Sequence, residues 1–150
     1  MESRVAQVYI DEYFKRYPGV QTYIEKSLEE ARQKGYATTL FRRRRYLPDI
    51  HSPNMAVRQA SERMAVNTPL QGTAADIIKV AMIHIQNRIE EIGLSTKMIM
   101  QVHDELVFEI PEEELQKAVP LIQQEMETVT DLSVPLKVSI HSGRNWAVVH

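Results

Sequence analysis

Three adjacent polar residues, His103, Asp104 and Glu105, are the part of this sequence whose types and spacing are best suited to chemistry. Alternating apolar residues flank them: Met98, Met100 and Val102 before, and Leu106, Phe108 and Ile110 after. This period of two predicts two β-strands joined by a tight turn. A two-residue turn favours Asn-Gly or Asp-Gly because it needs positive φ, so a His-Asp turn is expected to be strained, and strain is concentrated at functional sites.

Such a turn would expose a carboxylate that could bind Mg²⁺. Magnesium takes one or two carboxylates together with substrate phosphates. Because adjacent strand residues face opposite sides, Asp104 and Glu105 are not expected to bind one ion jointly, so a second acid from elsewhere is required. On periodicity alone, polar residues decorating a surface turn are the simpler interpretation.

The second candidate is the basic cluster Arg42, Arg43, Arg44 and Arg45, which we expect to be exposed on a loop or strand end. Residues 32–63 contain eight basic and two acidic residues, whereas residues 104–150 contain nine acidic and three basic ones, although the net charge is only -2. This asymmetry favours a protein that holds a polyanion near a metal. Two ordinary solvated faces are the alternative.

Helices are expected to position the basic cluster. Helical spacing of apolar residues predicts one helix ending near Pro18 and a second ending at Gly35, followed by an extended segment. Another helix is expected to start at Ser52-Pro53-Asn54. A break is predicted at Asn67, after which Thr68-Pro69-Leu70-Gln71 forms a capping box and opens a long helix that ends at Gly93.

The remaining elements follow the candidate turn. Pro111 and the three following glutamates predict a further helix, and the alternation of Leu136, Val138 and Ile140 predicts a last strand. Helices followed by a short sheet that a helix crosses indicate an α+β domain with mainly antiparallel strands.

Composition excludes several classes of protein. At 150 residues, one domain is the natural expectation. The absence of cysteine excludes disulfide scaffolds and thiol catalysis, and it favours a cytoplasmic location. No apolar run approaches the roughly 18 residues that a membrane span needs, so no membrane partner is expected.

Four segments resemble the family A DNA polymerases, in the order in which that family has them. QVHDELVFE, from Gln101 to Glu109, resembles the third motif of the family. RQASERMAVNTPLQGTAADIIKVAM, from Arg58 to Met82, resembles the segment before that motif in the bacterial enzymes. RRRRYLPDI from Arg42 and YFKRYPGV from Tyr13 fit the same family.

The resemblance implies template-directed DNA synthesis, in which two metal ions assist nucleotidyl transfer to a primer 3′ end. It makes Asp104 a catalytic Mg²⁺ ligand, gives Glu105 a lesser role beside the metals, and brings His103 near the primer terminus. It also makes three side chains contact the primer-template DNA in the minor groove: Arg63, Asn67 and Gln71.

Those three residues have alternative structural roles. Asn67 could cap a helix C-terminus, Gln71 could complete the capping box with Thr68, and Arg63 could pair with Glu62 or Glu105. Arg42 to Arg45 would contact DNA phosphates, and the Arg at position 42 departs from the Gly or other residue of many relatives.

The resemblance also implies an incomplete polymerase domain, with about residues 1–50 forming the end of the fingers and about residues 51–150 forming the palm. The Asp-Tyr-Ser run that supplies the second aspartate, and the helix that binds deoxynucleoside triphosphates, are not in this sequence. The partners implied are therefore primer-template DNA, deoxynucleoside triphosphates and the rest of the polymerase chain, and the isolated chain is expected to be inactive.

Two other functions remain open at this point. One is a non-catalytic nucleic-acid-binding module that uses the Arg42 to Arg45 cluster. The other, less favoured, is a small metal-dependent nuclease that uses Asp104 with Asp76 or Glu62.

Overall fold

The computed structural model describes residues 3–148, which form two compact units, one up to Thr73 and one from Ala74. The helices and strands are α1 Ser3–Arg16, α2 Pro18–Lys34, β1 Tyr36–Thr38, β2 Arg44–Tyr46, α3 Met55–Glu91, β3 Lys97–Val102, β4 Glu105–Glu109 and α4 Leu115–Glu127. Short 3₁₀ turns cover Glu112–Glu114 and Trp146–Val148. Each pair of strands is an antiparallel hairpin, β1 with β2 and β3 with β4, so the predicted α+β class is confirmed.

No helix of the described residues is both long enough and apolar enough to cross a membrane.

The first unit packs α2, the β1–β2 hairpin and the first half of α3 around a small apolar core that is rich in alanine. Gly35 ends α2 as predicted, with a left-handed φ of 74° and its N–H donated to the carbonyl of Ala31. The buried core of this unit consists of Ala31, Ala37, Leu47, Ile50 and Ala65. The many alanines let the hairpin approach the helices closely.

The predicted break at Asn67 is wrong, because helix α3 continues through this residue. The start is as expected, because the Asn54 side-chain oxygen accepts the N–H groups of Ala56 and Val57. The helix then runs without interruption through Thr68-Pro69-Leu70-Gln71 to Glu91, with Pro69 in its interior. An interior proline lacks an N–H donor and crowds the carbonyl four residues earlier, and the packing of buried residues on both sides of Pro69 offsets this cost.

In the second unit, one face of the β3–β4 hairpin packs with the second half of α3 and with α4. The buried core is Ala81, Ile85, Ile89, Ala118 and Ile122, and Met98, Leu106 and Phe108 pack against it. A bulge between Met98 and Met100 changes the predicted alternation. Met98 pairs with Phe108 and Gln101 pairs with Leu106, so Met98 and Gln101 are on the same face as these two core residues. Met100 and Val102 therefore lie on the face away from this core.

The predicted last strand over Leu136 to Ile140 is wrong. This segment has no strand partner among the described residues and forms no regular element. Its attachment is instead to α4, where the N–H of Val138 donates to Glu127 at 3.0 Å. That hydrogen bond, with a weaker one from Gln123, lowers the pKa of Glu127. Alternation alone cannot create a strand, because a strand needs a neighbour to receive its backbone hydrogen bonds.

The helix predicted from Pro111 begins instead with the 3₁₀ turn, and α4 follows from Leu115. Glu114 in this turn holds the segment before β3. Its carboxylate accepts the backbone N–H groups of Ser95 and Thr96 at 2.8 and 2.9 Å and the Thr96 hydroxyl at 2.7 Å. These donors, the Ser95 N–H first, lower the pKa of Glu114 below its ordinary value of 4.5.

We expect Glu114→Gln to lower the melting temperature of the chain at pH 7 and to have little effect below the lowered pKa. A carboxyl group whose pKa falls on folding stabilises the folded state above its ordinary pKa, and this contribution disappears as the pH falls through the folded-state pKa. Thermal unfolding of both proteins at pH 7 and at a pH low enough to protonate Glu114 in the folded state measures the difference. Glu113→Gln, at the exposed neighbouring position, is the control, and an equal loss at both pH values would contradict the assignment.

Candidate functional site

Three polar side chains, Arg63, Asn67 and Gln71, form a row on one face of α3. They are four residues apart, so each is displaced from the previous one by about 6 Å along the helix axis and by about 40° around it. All three are exposed. The row exists because the helix continues through Asn67 and Pro69; a break there would have separated Gln71 from the other two.

The structure removes the alternative roles of these residues. Asn67 lies inside α3 and caps no terminus, and Thr68, also inside the helix, forms no capping box with Gln71. Glu62 binds Arg32 at 2.8 Å and lies 3.9 Å from Arg58. Within residues 3–148, the side chains of the row make no hydrogen bond or ion pair, so their donors are available to a ligand.

The row opens into a groove of about 360 Å³ in the first unit. The lining residues are Arg45, Ala60, Arg63, Met64, Asn67, Thr68 and Gln71. Arg45 is held at the groove by a contact between its guanidinium and the Met64 sulfur at 3.1 Å. The Thr68 hydroxyl oxygen is buried and has no hydrogen-bond partner in the described part of the chain. The groove is therefore rich in donors and carries two positive charges.

The basic cluster is exposed as predicted, but its arginines do not form one surface. Arg45 pairs with Ala37, which is buried in the core, so this face of the hairpin is directed towards α3. Arg44 precedes Arg45 in the strand and lies on the opposite face, where its guanidinium is 4.8 Å from the centre of the Tyr36 ring. Only Arg45 of the four lines the groove.

The turn that carries Arg42 and Arg43 is attached to the middle of α3. The Leu40 N–H donates to the Thr73 hydroxyl at 2.9 Å, and the Arg43 guanidinium donates to the Gly72 carbonyl at 3.3 Å. Arg42 adopts a left-handed φ of 64°. Glycine adopts this conformation without the steric cost that a side chain adds.

Gly72 permits this attachment. A Cβ atom added at Gly72 would lie 2.6 Å from Cγ2 of Thr39, too close for any real contact. Thr39 is itself buried, and its hydroxyl accepts the N–H of Arg43. Neither residue of this pair was predicted from the sequence, although an isolated glycine inside a helical pattern is a signal of close backbone approach.

In the second unit, the His-Asp-Glu motif lies on the predicted two-residue turn. Val102 pairs with Glu105, which leaves His103 and Asp104 at the tip. His103 has a positive φ of 53°, which agrees with the expected strain. The Gln101 side chain supports the turn by donating to the His103 carbonyl at 3.0 Å. All three motif side chains are exposed, so a ligand could approach Asp104 freely.

The turn fits a part of a magnesium site. Magnesium is bound by one or two carboxylates plus phosphate oxygens, and the exposed Asp104 carboxylate has the right chemistry for this. Among residues 3–148, no group of three or more His, Asp or Glu side chains is arranged to hold a metal ion. Any such site would need ligands from a substrate or from other protein segments. Glu62, a candidate for the nuclease alternative, is engaged by arginines instead.

Comparison with known proteins defines the class. The structure is similar to the polymerase domain of Pol1 from M. smegmatis, described in complex with DNA primer-template and dNTP, with a TM-score of 0.97 and 44% identity over 99% of this chain and 26% of that one. DNA polymerase family A matches residues 1–148, and the chain belongs to this family.

Curated relatives agree with this assignment. DNA polymerase I of Bacillus caldotenax is 52% identical over 94% of this chain, and that of Pseudomonas aeruginosa is 48% identical over 100% of this chain. The chain spans 16% of the length of each of these relatives.

Proposed function

We propose that this chain is part of a DNA-directed DNA polymerase, which adds nucleotides from deoxynucleoside triphosphates to a primer 3′ end as the template directs. The observation that carries the proposal is the row Arg63, Asn67 and Gln71, whose donors are unused within the described residues of a family A chain. We also propose a cytoplasmic location, in agreement with a sequence that contains no cysteine.

The row suits the minor groove of a primer-template duplex. Every base pair presents N3 or O2 acceptors there, so side-chain donors can contact correctly paired DNA of any sequence. The row extends about 12 Å along α3, which corresponds to about three or four base pairs at a spacing of about 3.4 Å. Arg45 at the edge of the same groove would contact a backbone phosphate.

Asp104 is proposed as one carboxylate ligand of Mg²⁺, with the second aspartate supplied by the rest of the polymerase chain. Bound metal ions would supply the positive charge that stabilises the attacking and leaving oxygens. His103, next to Asp104 on the strained turn, would contact the primer strand near its terminus. Glu105 begins β4 and lies on the face away from the core of its unit, so we give it a lesser role.

We further propose that about residues 1–50 belong to the fingers and about residues 51–150 to the palm. On this proposal the 150-residue chain binds DNA but does not extend a primer by itself, because the second aspartate and the nucleotide-binding helix are not in its sequence. Robust extension by the isolated chain that disappears in Asp104→Ala would contradict this.

We expect Arg63→Ala to weaken binding of a primer-template duplex by about 10- to 100-fold, as for the loss of a charged hydrogen bond. Titration of the 150-residue chain against labelled duplexes of unrelated sequence measures this, and the loss should be similar for all of them because the minor-groove acceptors are shared. Arg88→Ala is the matched control, since Arg88 lies on the same helix and contacts Glu91 and Glu125 instead. Equal affinities of Arg63→Ala and the unaltered chain would remove the row from the DNA interface.

The alternative of a non-catalytic binding module makes a different prediction. It requires duplex binding that depends on salt and on the Arg42 to Arg45 cluster, and that is unaffected by Mg²⁺. It also requires that a polymerase carrying this chain keeps its activity in Asp104→Ala.

A further inference from the structure

The β1–β2 hairpin has a second polar face that the proposed minor-groove contact leaves unused. We call it the outer hairpin face, and it consists of Tyr36, Thr38, Arg44 and Tyr46. Its members are two cross-strand pairs, Tyr36 with Tyr46 and Thr38 with Arg44. Arg45 and Ala37 lie on the opposite face, towards α3. The outer hairpin face therefore belongs to a different surface from the groove.

Two aromatic rings and a guanidinium are arranged in contact on this face. The Tyr36 and Tyr46 rings are 5.9 Å apart at an interplanar angle of 68°, and the Arg44 guanidinium lies 4.8 Å from the Tyr36 ring centre. Edge-on packing restrains both rings and leaves the Tyr46 ring largely uncovered, since that residue is 69% exposed. An exposed, restrained aromatic ring beside a cation is a combination that binds stacked bases and their phosphates.

We propose that the outer hairpin face binds single-stranded DNA, with a base stacked on Tyr46 and an adjacent phosphate bound by Arg44. A single strand fits better than a duplex, because paired bases already stack on each other and their faces are reached only by unstacking, which costs free energy. This inference rests on the proposed function, in which the natural single strand is the unpaired part of the template. It adds a second DNA surface to the one in the groove.

The test compares two labelled DNAs, an oligothymidylate and a blunt-ended duplex, in fluorescence anisotropy titrations of the 150-residue chain. Tyr46→Ala is expected to weaken oligothymidylate binding by about 5- to 100-fold, as for the loss of one aromatic stacking contact, and to change duplex affinity by less than about two-fold. Tyr46→Phe keeps the ring and should bind as the unaltered chain does. Tyr46→Leu keeps apolar bulk without the ring and should behave like Tyr46→Ala.

Tyr9→Ala provides the matched control. Tyr9 on α1 is also 69% exposed, and its removal should leave both affinities unchanged. The inference is overturned if Tyr46→Ala binds oligothymidylate normally, or if it and Tyr46→Leu lose affinity for both DNAs equally. If the unaltered chain binds neither DNA, the proposed function is overturned as well. If duplex binding depends on Arg63 but single-strand binding is unchanged by substitution of Tyr46, this inference alone is overturned.

Discussion

Asp104→Ala in a polymerase that carries this chain is expected to lower the turnover number by about 10³-fold or more, with little change in DNA affinity. The proposed role of Asp104 is to hold a metal ion whose charge matters most in the transition state, where it is worth several kcal/mol. The groove residues, which we propose hold the duplex, are unaltered by this substitution. Single-turnover primer extension, together with a DNA titration, separates the two effects.

Glu109→Ala is the matched control for Asp104→Ala. Glu109 is an exposed acid at the other end of β4, where it pairs with Lys97 across the hairpin, and it should be replaceable without loss of turnover. The turnover number of Glu105→Ala should lie between those of Asp104→Ala and Glu109→Ala, since Glu105 is adjacent to the turn. Turnover of Asp104→Ala within about ten-fold of the unaltered enzyme would exclude Asp104 from the metal site and leave the binding-module alternative in its place.

Gly72→Ala is expected to destabilise the first unit by about 1–3 kcal/mol, although alanine normally favours a helix over glycine by about 1 kcal/mol. The reason is steric, since the new Cβ would lie 2.6 Å from Cγ2 of Thr39. Thr39 is buried and β-branched, and its hydroxyl accepts the Arg43 N–H, so it cannot rotate away freely. Denaturant unfolding of the 150-residue chain measures the change in the free energy of unfolding.

The double variant Thr39→Ser with Gly72→Ala should recover about 1–2 kcal/mol of that loss, because serine removes the clashing methyl group and keeps the hydroxyl. Gly19→Ala is the control, since a Cβ at Gly19 in α2 meets no atom within 4 Å, and it should leave stability unchanged or raise it by up to about 1 kcal/mol. If Gly72→Ala is as well tolerated as Gly19→Ala, the hairpin is not held to α3 through this contact.

The contact between Gly72 and Thr39 also affects the proposed DNA interface. Displacing Thr39 moves the turn that carries Arg42 and Arg43, and the strand after it carries Arg45 to the groove. Interiors pack closely, so a shift of even one methyl group is transmitted to neighbouring segments.

Local signals in the sequence were enough for several elements. Gly35 ended α2 because glycine alone adopts the left-handed conformation there without cost, and the alternation on both sides of His103-Asp104 predicted the β3–β4 hairpin and its strained turn. The prediction of a break at Asn67 also rested on a local signal, and it was wrong. Thr68-Pro69-Leu70-Gln71 has the residues of a helix start, but packing on both sides of Pro69 outweighs that local preference.

By itself, therefore, the sequence determined the α+β class, the family resemblance and the identity of the candidate residues, because residue types and their period are local properties of the chain. Only the tertiary structure decided that Arg63, Asn67 and Gln71 form one row, that Arg44 and Arg45 lie on opposite faces of the hairpin, and that a bulge turns Met100 away from the core. These outcomes depend on which segment packs against which. Burial and strand register couple residues far apart in the chain, and a short stretch of sequence contains no information about its distant neighbour.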